Sequence, residues 1–138
     1  MATPDLKTMS VDELVELFAQ IGVAQGKAIR EGVLPPEEPS LEMEREAAQK
    51  KFEKLYWEMD AVDRELRARG REARSALMQL YDYPNMQVKL MAARHTLGVA
   101  YEAAREMIEA IADSKWPGQS LDAGMTICNL DNGTFKPD

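Results

Sequence analysis

Residues 11–31 carry apolar side chains at intervals of three and four positions, which is the pattern of an amphipathic α-helix. Ser10 and Glu13 have the spacing of a capping box, in which each side chain accepts a hydrogen bond from the backbone N–H of the other residue. Together these signals predict a first helix that begins at Val11 and ends near Glu31. Its apolar positions are Leu14, Leu17, Phe18, Ile21, Ala24 and Ala28.

Two glycines, Gly22 and Gly26, lie about one helical turn apart inside this first helix. Each costs a helix about 1 kcal/mol relative to alanine, so a structural reason for both is expected. We expect a second helix to cross the first one closely here, because glycine lets two backbones approach. The alternative is a ligand that approaches the exposed backbone.

A second, longer helix is predicted after a segment that disfavours helix. Residues 32–40 contain three prolines and two glutamates, which predicts a partly extended linker, and Ser40 can cap the following helix. From there to about Gly70, a heptad-like apolar seam is expected to bury one helix face, either within the chain or across a homodimer. The seam residues are Ala48, Phe52, Leu55, Met59, Val62 and Leu66.

Shorter helices are predicted for the second half of the chain. Residues 71–83 form a short helical pattern that is interrupted by Pro84, and Asn85 can cap the next helix. Two further helices are predicted, one from about Glu102 and one over about 120–130. In the first of these two, the residues expected to face inward are Ala103, Met107, Ala110 and Ile111.

The length and composition of the chain indicate one domain. Its 138 residues are 45% hydrophobic, which suffices to fill one core and leaves little room for a second. We therefore predict a single, compact all-α domain over residues 1–138, with a flexible N-terminus over 1–9. Two N-terminal helices, one of them long, are expected to pack on antiparallel helical hairpins over 71–132.

The chain is acidic, and its acidic excess lies at the two ends. The 24 acidic residues oppose 17 basic ones, for a net charge of −7. Residues 1–40 contain seven acidic and three basic residues, and residues 116–138 contain three and one. A negative field repels phosphate backbones and anionic lipids, so we expect neither nucleic acid nor a membrane as partner. An electropositive protein is the partner that this charge favours.

The sequence offers little for metal binding or catalysis. A single cysteine and a single histidine exclude an intramolecular disulfide and a site of three or four Cys/His ligands. We interpret His95 as a partly exposed structural histidine, with a general base or ligand as the alternative. We interpret Cys128 as a small buried side chain rather than a reactive thiol. No phosphate-binding glycine motif occurs, so the expectation is a non-enzymatic protein without metal or cofactor.

A cytoplasmic location is expected from two further features of the sequence. No run of about 18 apolar residues occurs, as a membrane-spanning helix would need. The first residues also lack the basic start and continuous apolar core of a secretory signal. The single cysteine suits the reducing cytoplasm.

The turn near residue 84 and the helix that follows it resemble a known repeat. The residues that carry the resemblance are Leu80, Asp82, Pro84, Asn85, Val88, Lys89, Ala92, Ala93 and Leu97. In this order they resemble one HEAT-type helical hairpin, in which a turn with Asp and Pro precedes a Val-Arg pair, small residues and a leucine. Lys89 stands where that family usually has arginine. Residues 102–130 resemble a degenerate second hairpin, so the hairpins over 71–132 are expected to be HEAT-like.

Four segments carry a second resemblance that extends over nearly the whole chain. They are the opening Ser10–Phe18, the turn Tyr83–Leu90, the segment Asp122–Met125 and the closing Leu130–Asp138. Together they resemble a bacterial family known only as domain of unknown function 2019. The resemblance implies a bacterial source and an all-α, HEAT-like fold, and it brings no catalytic residues. It permits the suggestion that the protein is an inhibitor or immunity partner of a basic toxin.

Two consecutive aromatic residues, Tyr56 and Trp57, lie on the predicted long helix. The seam already uses Phe52, Leu55 and Met59, which leaves at least one of the two rings free to point away from it. We favour packing of the rings beneath another helix, and an exposed binding anchor is the alternative.

The leading functional hypothesis is a non-enzymatic protein-interaction module that uses a helical-hairpin face and its acidic ends to hold a protein partner, as an immunity protein holds a basic toxin. A small-molecule-binding or regulatory helical domain, with a pocket between helices, is the alternative. A nucleic-acid-binding HEAT-like protein is the third hypothesis. The candidate partner-binding residues are Tyr56, Trp57, Glu37, Glu38, Lys89 and Arg94.

Overall fold

The computed structural model describes residues 5–31 and 42–138, and over these residues the chain is helical without a β-strand. The prediction of an all-α domain is confirmed. Two 3₁₀ segments, Leu6–Thr8 and Ala76–Asp82, accompany the α-helices. The six α-helices of the described ranges are α1 (Val11–Glu31), α2 (Glu42–Ala68), α3 (Arg71–Ser75), α4 (Met86–Thr96), α5 (Tyr101–Asp113) and α6 (Gln119–Asp131).

Side-chain caps fix the starts of α1 and α4. The Ser10 backbone N–H donates to Glu13 Oε1 at 3.0 Å, and the Glu13 N–H donates to Ser10 Oγ at 3.1 Å, so the predicted capping box is confirmed. The bond from the Ser10 backbone also holds the pKa of Glu13 below its usual value. The Val88 N–H donates to Asn85 Oδ1 at 3.1 Å, which confirms the second cap. The predicted cap at Ser40 and the linker 32–40 lie outside the described residues.

The helices α1 and α2 form an antiparallel pair. Arg69, just beyond the end of α2, donates from Nη2 to the carbonyl oxygen of Leu6 at 2.8 Å, and Leu6 precedes the start of α1. The same guanidinium donates from Nε to Glu65 Oε2 at 2.8 Å. Of segment 1–9, for which the sequence predicts flexibility, residues 6–8 form a 3₁₀ turn that Arg69 thereby connects to α2.

The helices α5 and α6 form a second antiparallel pair, joined by a five-residue connection. Arg105, near the start of α5, reaches Asp131 at the end of α6 with 2.8 Å between Nη1 and Oδ1. The bonds to Asp131 and Glu109 raise the already high pKa of Arg105. The bond from Arg105 in turn lowers the pKa of Asp131. Among the described residues, no helix is both long and apolar enough to cross a membrane.

The core lies where α1, α2 and α4 meet. Only the C-terminal half of the predicted α2 seam belongs to it, since Met59, Val62 and Leu66 are buried. The N-terminal seam residues Ala48, Phe52 and Leu55 are half-buried. The largest fully buried side chains of α1, the Ala76–Asp82 segment, α4 and α5 are Phe18, Leu14, Leu77, Leu90 and Ile108.

The two glycines of α1 face α4, as predicted. A Cβ atom on Gly22 would lie 2.9 Å from Val88 Cγ2, and one on Gly26 would lie 3.2 Å from Gln87 Cβ. Both contacts are tighter than ordinary packing allows. The close helix crossing is therefore the structural reason for Gly22 and Gly26.

Two details of the predicted helices are wrong. Residues 71–83 do not form one helix, because α3 gives way to the 3₁₀ segment, which places Leu77 and Leu80 on the same buried side. In α5 the centre of the buried stripe is Ala104, Ile108 and Ile111 rather than the set that begins at Ala103. Both sets are apolar, and packing against α4 and α6 selects between them. Of the predicted set, Ala110 is exposed, Ala103 and Met107 are half-buried, and Ile111 is buried.

Candidate functional site

Tyr56 and Trp57 lie exposed on α2, with 54% and 62% of their surfaces accessible. Their rings form an edge-to-face pair with centroids 5.2 Å apart. The expectation that these rings pack beneath another helix is wrong, and the exposed alternative is the observed arrangement. Each residue advances about 100° around a helix, so Tyr56 lies beside the buried seam and Trp57 lies farther around α2, away from it.

On one side of α2 lies an apolar groove of about 510 Å³ beside Trp57, which we call the Trp57 groove. It runs between the first 3₁₀ turn, α1 and α2. Lys54 and Glu58 lie at its edge, with 4.0 Å between Nζ and Oε1. Its apolar lining consists of Leu6, Leu17, Ile21, Trp57, Ala61 and Val62.

Beside Tyr56 lies a different concavity of about 390 Å³, which we call the α2–α4 cavity. Residues of α1, α2, α4, α6 and the segment after α6 contribute to it. Tyr56 and Phe52 border it from α2, while Phe135 borders it from the end of the chain. The other apolar side chains of the lining are Ile29, Met59 and Met91.

Three buried glutamines form a chain of hydrogen bonds that begins at this cavity. Gln119 Nε2 donates to Gln87 Oε1 at 2.9 Å, and Gln87 Nε2 donates to Gln25 Oε1 at 3.2 Å. Gln25 is only 1% exposed, and it lines the cavity together with Gln87.

His95 lines the same cavity and contacts the buried Asp63. His95 Nδ1 lies 3.2 Å from Asp63 Oδ1, and Arg67 Nε lies 2.8 Å from Asp63 Oδ2. Burial by itself raises the pKa of Asp63, but the contact with His95 and the charges of Arg67 and Arg74 outweigh it and hold that pKa below its usual value. The ionised carboxylate favours a proton on Nδ1 of the imidazole. The edge-to-face contact with Phe18, at 5.3 Å between centroids, fixes the ring plane.

Two charged residues at the cavity come from α4 and α6. Arg94 Nη1 lies 3.5 Å from Asp122 Oδ1, which is longer than a typical charge-assisted hydrogen bond of about 2.7–2.9 Å. The remaining acid of the lining, Asp60, is held by Arg64 with 2.8 Å between Oδ2 and Nε. Arg94 is therefore the cation that is least engaged by a carboxylate at this cavity.

The sequence-predicted site residues separate into different places. Tyr56 and Arg94 line the α2–α4 cavity, whereas Trp57 lines the groove on the other side. Lys89 lies with Trp116 at a third concavity, near the start of α4. Glu37 and Glu38 lie outside the described residues.

Sequence reasoning missed the buried polar residues Gln25 and Gln87 of the cavity and the buried Asp63 that contacts His95. A signal for Gln25 was present, because it continues the buried stripe of Phe18 and Ile21 on α1, where an apolar residue is the norm. For His95 the structure agrees with a partly exposed histidine.

Cys128 departs from the expectation, because it is exposed rather than buried. It lies on the outer face of α6, where no other helix of the described chain covers it. Within the described ranges, no group of three or more His, Cys, Asp or Glu side chains could hold a metal ion together.

The model of the family described as Domain of unknown function (DUF2019) matches residues 38–131. The chain belongs to this family. The match to DUF2019 includes all of α2–α6 and therefore Tyr56, Trp57 and the Asp63–His95 pair, whereas α1 lies outside it.

A solved structure supports the fold of this DUF2019 chain. The crystal structure of the protein RPA1889 from Rhodopseudomonas palustris CGA009 is similar to it, with 41% sequence identity and a TM-score of 0.82. The similarity covers 99% of this chain and 100% of that chain. No curated protein matches this chain.

Proposed function

We propose that this protein is a non-enzymatic interaction module that binds a protein partner at the Trp57 groove. The observation that carries the proposal is a tryptophan that is 62% exposed beside an apolar groove. Exposed apolar surface with a charged rim is typical of protein-binding sites. Lys54 and Glu58 supply such a rim.

Tryptophan is well suited to anchor a partner. A buried tryptophan contributes about 150–250 Å² of contact area, and tryptophan is enriched among the residues that dominate binding energy. The Tyr56 ring supports the Trp57 ring edge-to-face, so less conformational freedom is lost when a partner covers it. The groove then accepts an apolar side chain of the partner between α1 and α2.

The net charge of −7 supports a basic partner, since complementary charge speeds association and selects among partners. A basic toxin that this protein neutralises is the specific partner that we propose. We place the protein in the cytoplasm, where an exposed free thiol such as that of Cys128 stays reduced.

We also propose that the helical hairpins over 71–132 are related to HEAT repeats. This kinship is supported by the Asn85 cap that follows Pro84 at the start of α4 and by the antiparallel α5–α6 pair. In repeat proteins, such pairs stack to form an extended binding face. The groove lies outside these hairpins, so partner binding at Trp57 does not depend on this kinship.

A capture experiment with matched variants tests the proposed function. The full-length wild type, Trp57→Ala and Leu121→Ala are immobilised and exposed to a lysate of the source bacterium at low and at moderate salt. Leu121 is the control position, because it is also an exposed apolar residue (69% accessible) but lies on α6, outside the groove. We expect the wild type and Leu121→Ala to retain a stoichiometric basic protein that Trp57→Ala loses and that higher salt weakens.

Equal retention of that protein by Trp57→Ala would contradict the groove as its binding site. Loss of the protein from Leu121→Ala instead would place the interaction on α6. Capture of acidic proteins only, with no dependence on salt, would contradict the proposed basic partner.

A further inference from the structure

We propose that the α2–α4 cavity is a binding site for a small organic carboxylate with an apolar or aromatic body. This site is distinct from the Trp57 groove, because Tyr56 borders the cavity while Trp57 borders the groove. The proposal therefore does not rest on the protein partner.

The size and walls of the cavity suit a small ligand. Its volume of about 390 Å³ lies within the range of about 300–1,000 Å³ that is usual for ligand sites. Phe52, Tyr56 and Phe135 supply aromatic surface, and Met59 and Met91 supply adaptable apolar surface. An apolar ligand body fits this lining.

The buried Gln25 amide indicates a hydrogen-bond acceptor in the ligand. Its oxygen accepts from Gln87 at 3.2 Å, so the two N–H donors of its nitrogen are the part of the amide that a ligand can contact. Gln25 is only 1% exposed and lines the cavity. A ligand oxygen in the cavity would accept a hydrogen bond from this amide.

Arg94 selects a carboxylate among the possible acceptors. Its guanidinium lines the cavity and is paired with Asp122 only at 3.5 Å. Arginine binds carboxylates in a planar, two-pronged geometry that strengthens both bonds. Asp60, an acid of the cavity lining, does not present uncompensated charge, because Arg64 holds it at 2.8 Å.

His95 provides a third polar wall. Asp63 Oδ1 lies 3.2 Å from His95 Nδ1, and the Phe18 ring packs against the imidazole edge-to-face. These two contacts hold the imidazole in one orientation. Gln25, Arg94 and His95 come from α1 and α4, and the crossing at Gly22 brings these helices together.

Three probes with the same apolar body test the chemistry of the head group. They are 4-phenylbutyrate, 4-phenylbutyramide and 4-phenylbutylamine, added at millimolar concentration to the ¹⁵N-labelled full-length protein. We expect the carboxylate to shift the side-chain amide resonances of Gln25 and Gln87, and to bind at least about tenfold more tightly than the amide.

Variants locate the site. Arg94→Met is expected to weaken 4-phenylbutyrate binding at least about tenfold, while binding of the amide changes little. The control Lys51→Met removes an exposed cation of α2 that does not line the cavity, and it is expected to bind as the wild type does. Gln25→Leu is expected to weaken both probes, and Arg94→Met keeps the test decisive if Gln25→Leu fails to fold.

Three results would overturn the proposal. One is the absence of resonance shifts with all three probes. Another is tighter binding of the amine, which would mean that Asp60 and Asp122 select a cation. The third is unchanged 4-phenylbutyrate binding by Arg94→Met.

Discussion

At the scale of single residues, the close packing of α1 against α4 depends on a glycine, which has no side chain. A Cβ atom on Gly22 would lie 2.9 Å from Val88 Cγ2 and 3.2 Å from Val88 Cα. The second distance involves backbone, so a rotamer change of Val88 cannot relieve it. Glycine at this position lowers the intrinsic stability of α1, but it allows α1 and α4 to pack closely.

Substitution of two helical glycines by alanine should change stability in opposite directions. Gly22→Ala is expected to lower the free energy of unfolding by about 1 kcal/mol, because overpacking exceeds the gain in helix propensity. Gly124→Ala in α6 is the control, since its Cβ would meet nothing within 4 Å, and it should stabilise by about 0.5–1 kcal/mol. Urea unfolding followed by circular dichroism measures both, and stabilisation by Gly22→Ala would contradict the close crossing.

The residue scale also shows why polar core residues are hard to predict. Gln25 occupies an apolar phase of α1, and its partner Gln87 lies 62 residues away in sequence. A pattern within α1 marks Gln25 as unusual but contains no information about that partner.

At the scale of elements, the two halves of α2 are buried to different extents. Its periodic seam extends over the whole predicted length, yet full burial begins only at Met59. The periodicity correctly predicts which face is apolar. Whether that face is covered depends on where α1 and α4 lie, which the pattern of α2 does not contain.

Two truncations in α2 test this division of burial. Leu66→Ala is expected to lower the free energy of unfolding by about 2–5 kcal/mol, because Leu66 is fully buried. Leu55→Ala, at a half-buried seam position, should cost less than about 2 kcal/mol. Chemical denaturation of both variants measures the difference, and equal losses would contradict the observed packing of α2.

At the scale of the whole molecule, Asp63 links distant parts of the chain. Its carboxylate contacts His95 of α4 and Arg67 of α2, and Arg67 Nη1 reaches Asp138 Oδ2 at 3.1 Å. Arg74 donates from Nη1 to the Asp138 backbone oxygen at 2.7 Å. This ion-pair network, centred on the buried Asp63, connects α2, α4 and Asp138.

The pH dependence of folding should report on this network. The pKa of Asp63 is lowered in the folded state, so its contribution is complete above the unfolded pKa of about 3.9 and is lost as pH falls through the folded pKa. Asp63→Asn is expected to cost about 3 kcal/mol at pH 7, and the difference from wild type should shrink between about pH 4 and pH 2. Denaturation at each pH measures it.

The matched control for this prediction is Glu106→Gln, at an exposed position of α5. It should keep the pH dependence of the wild type. A stability difference between Asp63→Asn and wild type that stays constant from pH 7 to pH 2 would contradict the proposed role of the carboxylate.

The sequence alone determined the helical class, the capped starts of α1 and α4, and the glycine crossing, because caps and amphipathic patterns depend on residues three or four positions apart. The tertiary structure decided that Tyr56 and Trp57 are exposed, which stripe of α5 is buried, and that Gln25, Arg94 and His95 border one cavity. These features depend on contacts between residues far apart in sequence, which form only when the helices pack. A local pattern can show that a face is apolar or a residue unusual, but the neighbouring helix determines what that face or residue meets.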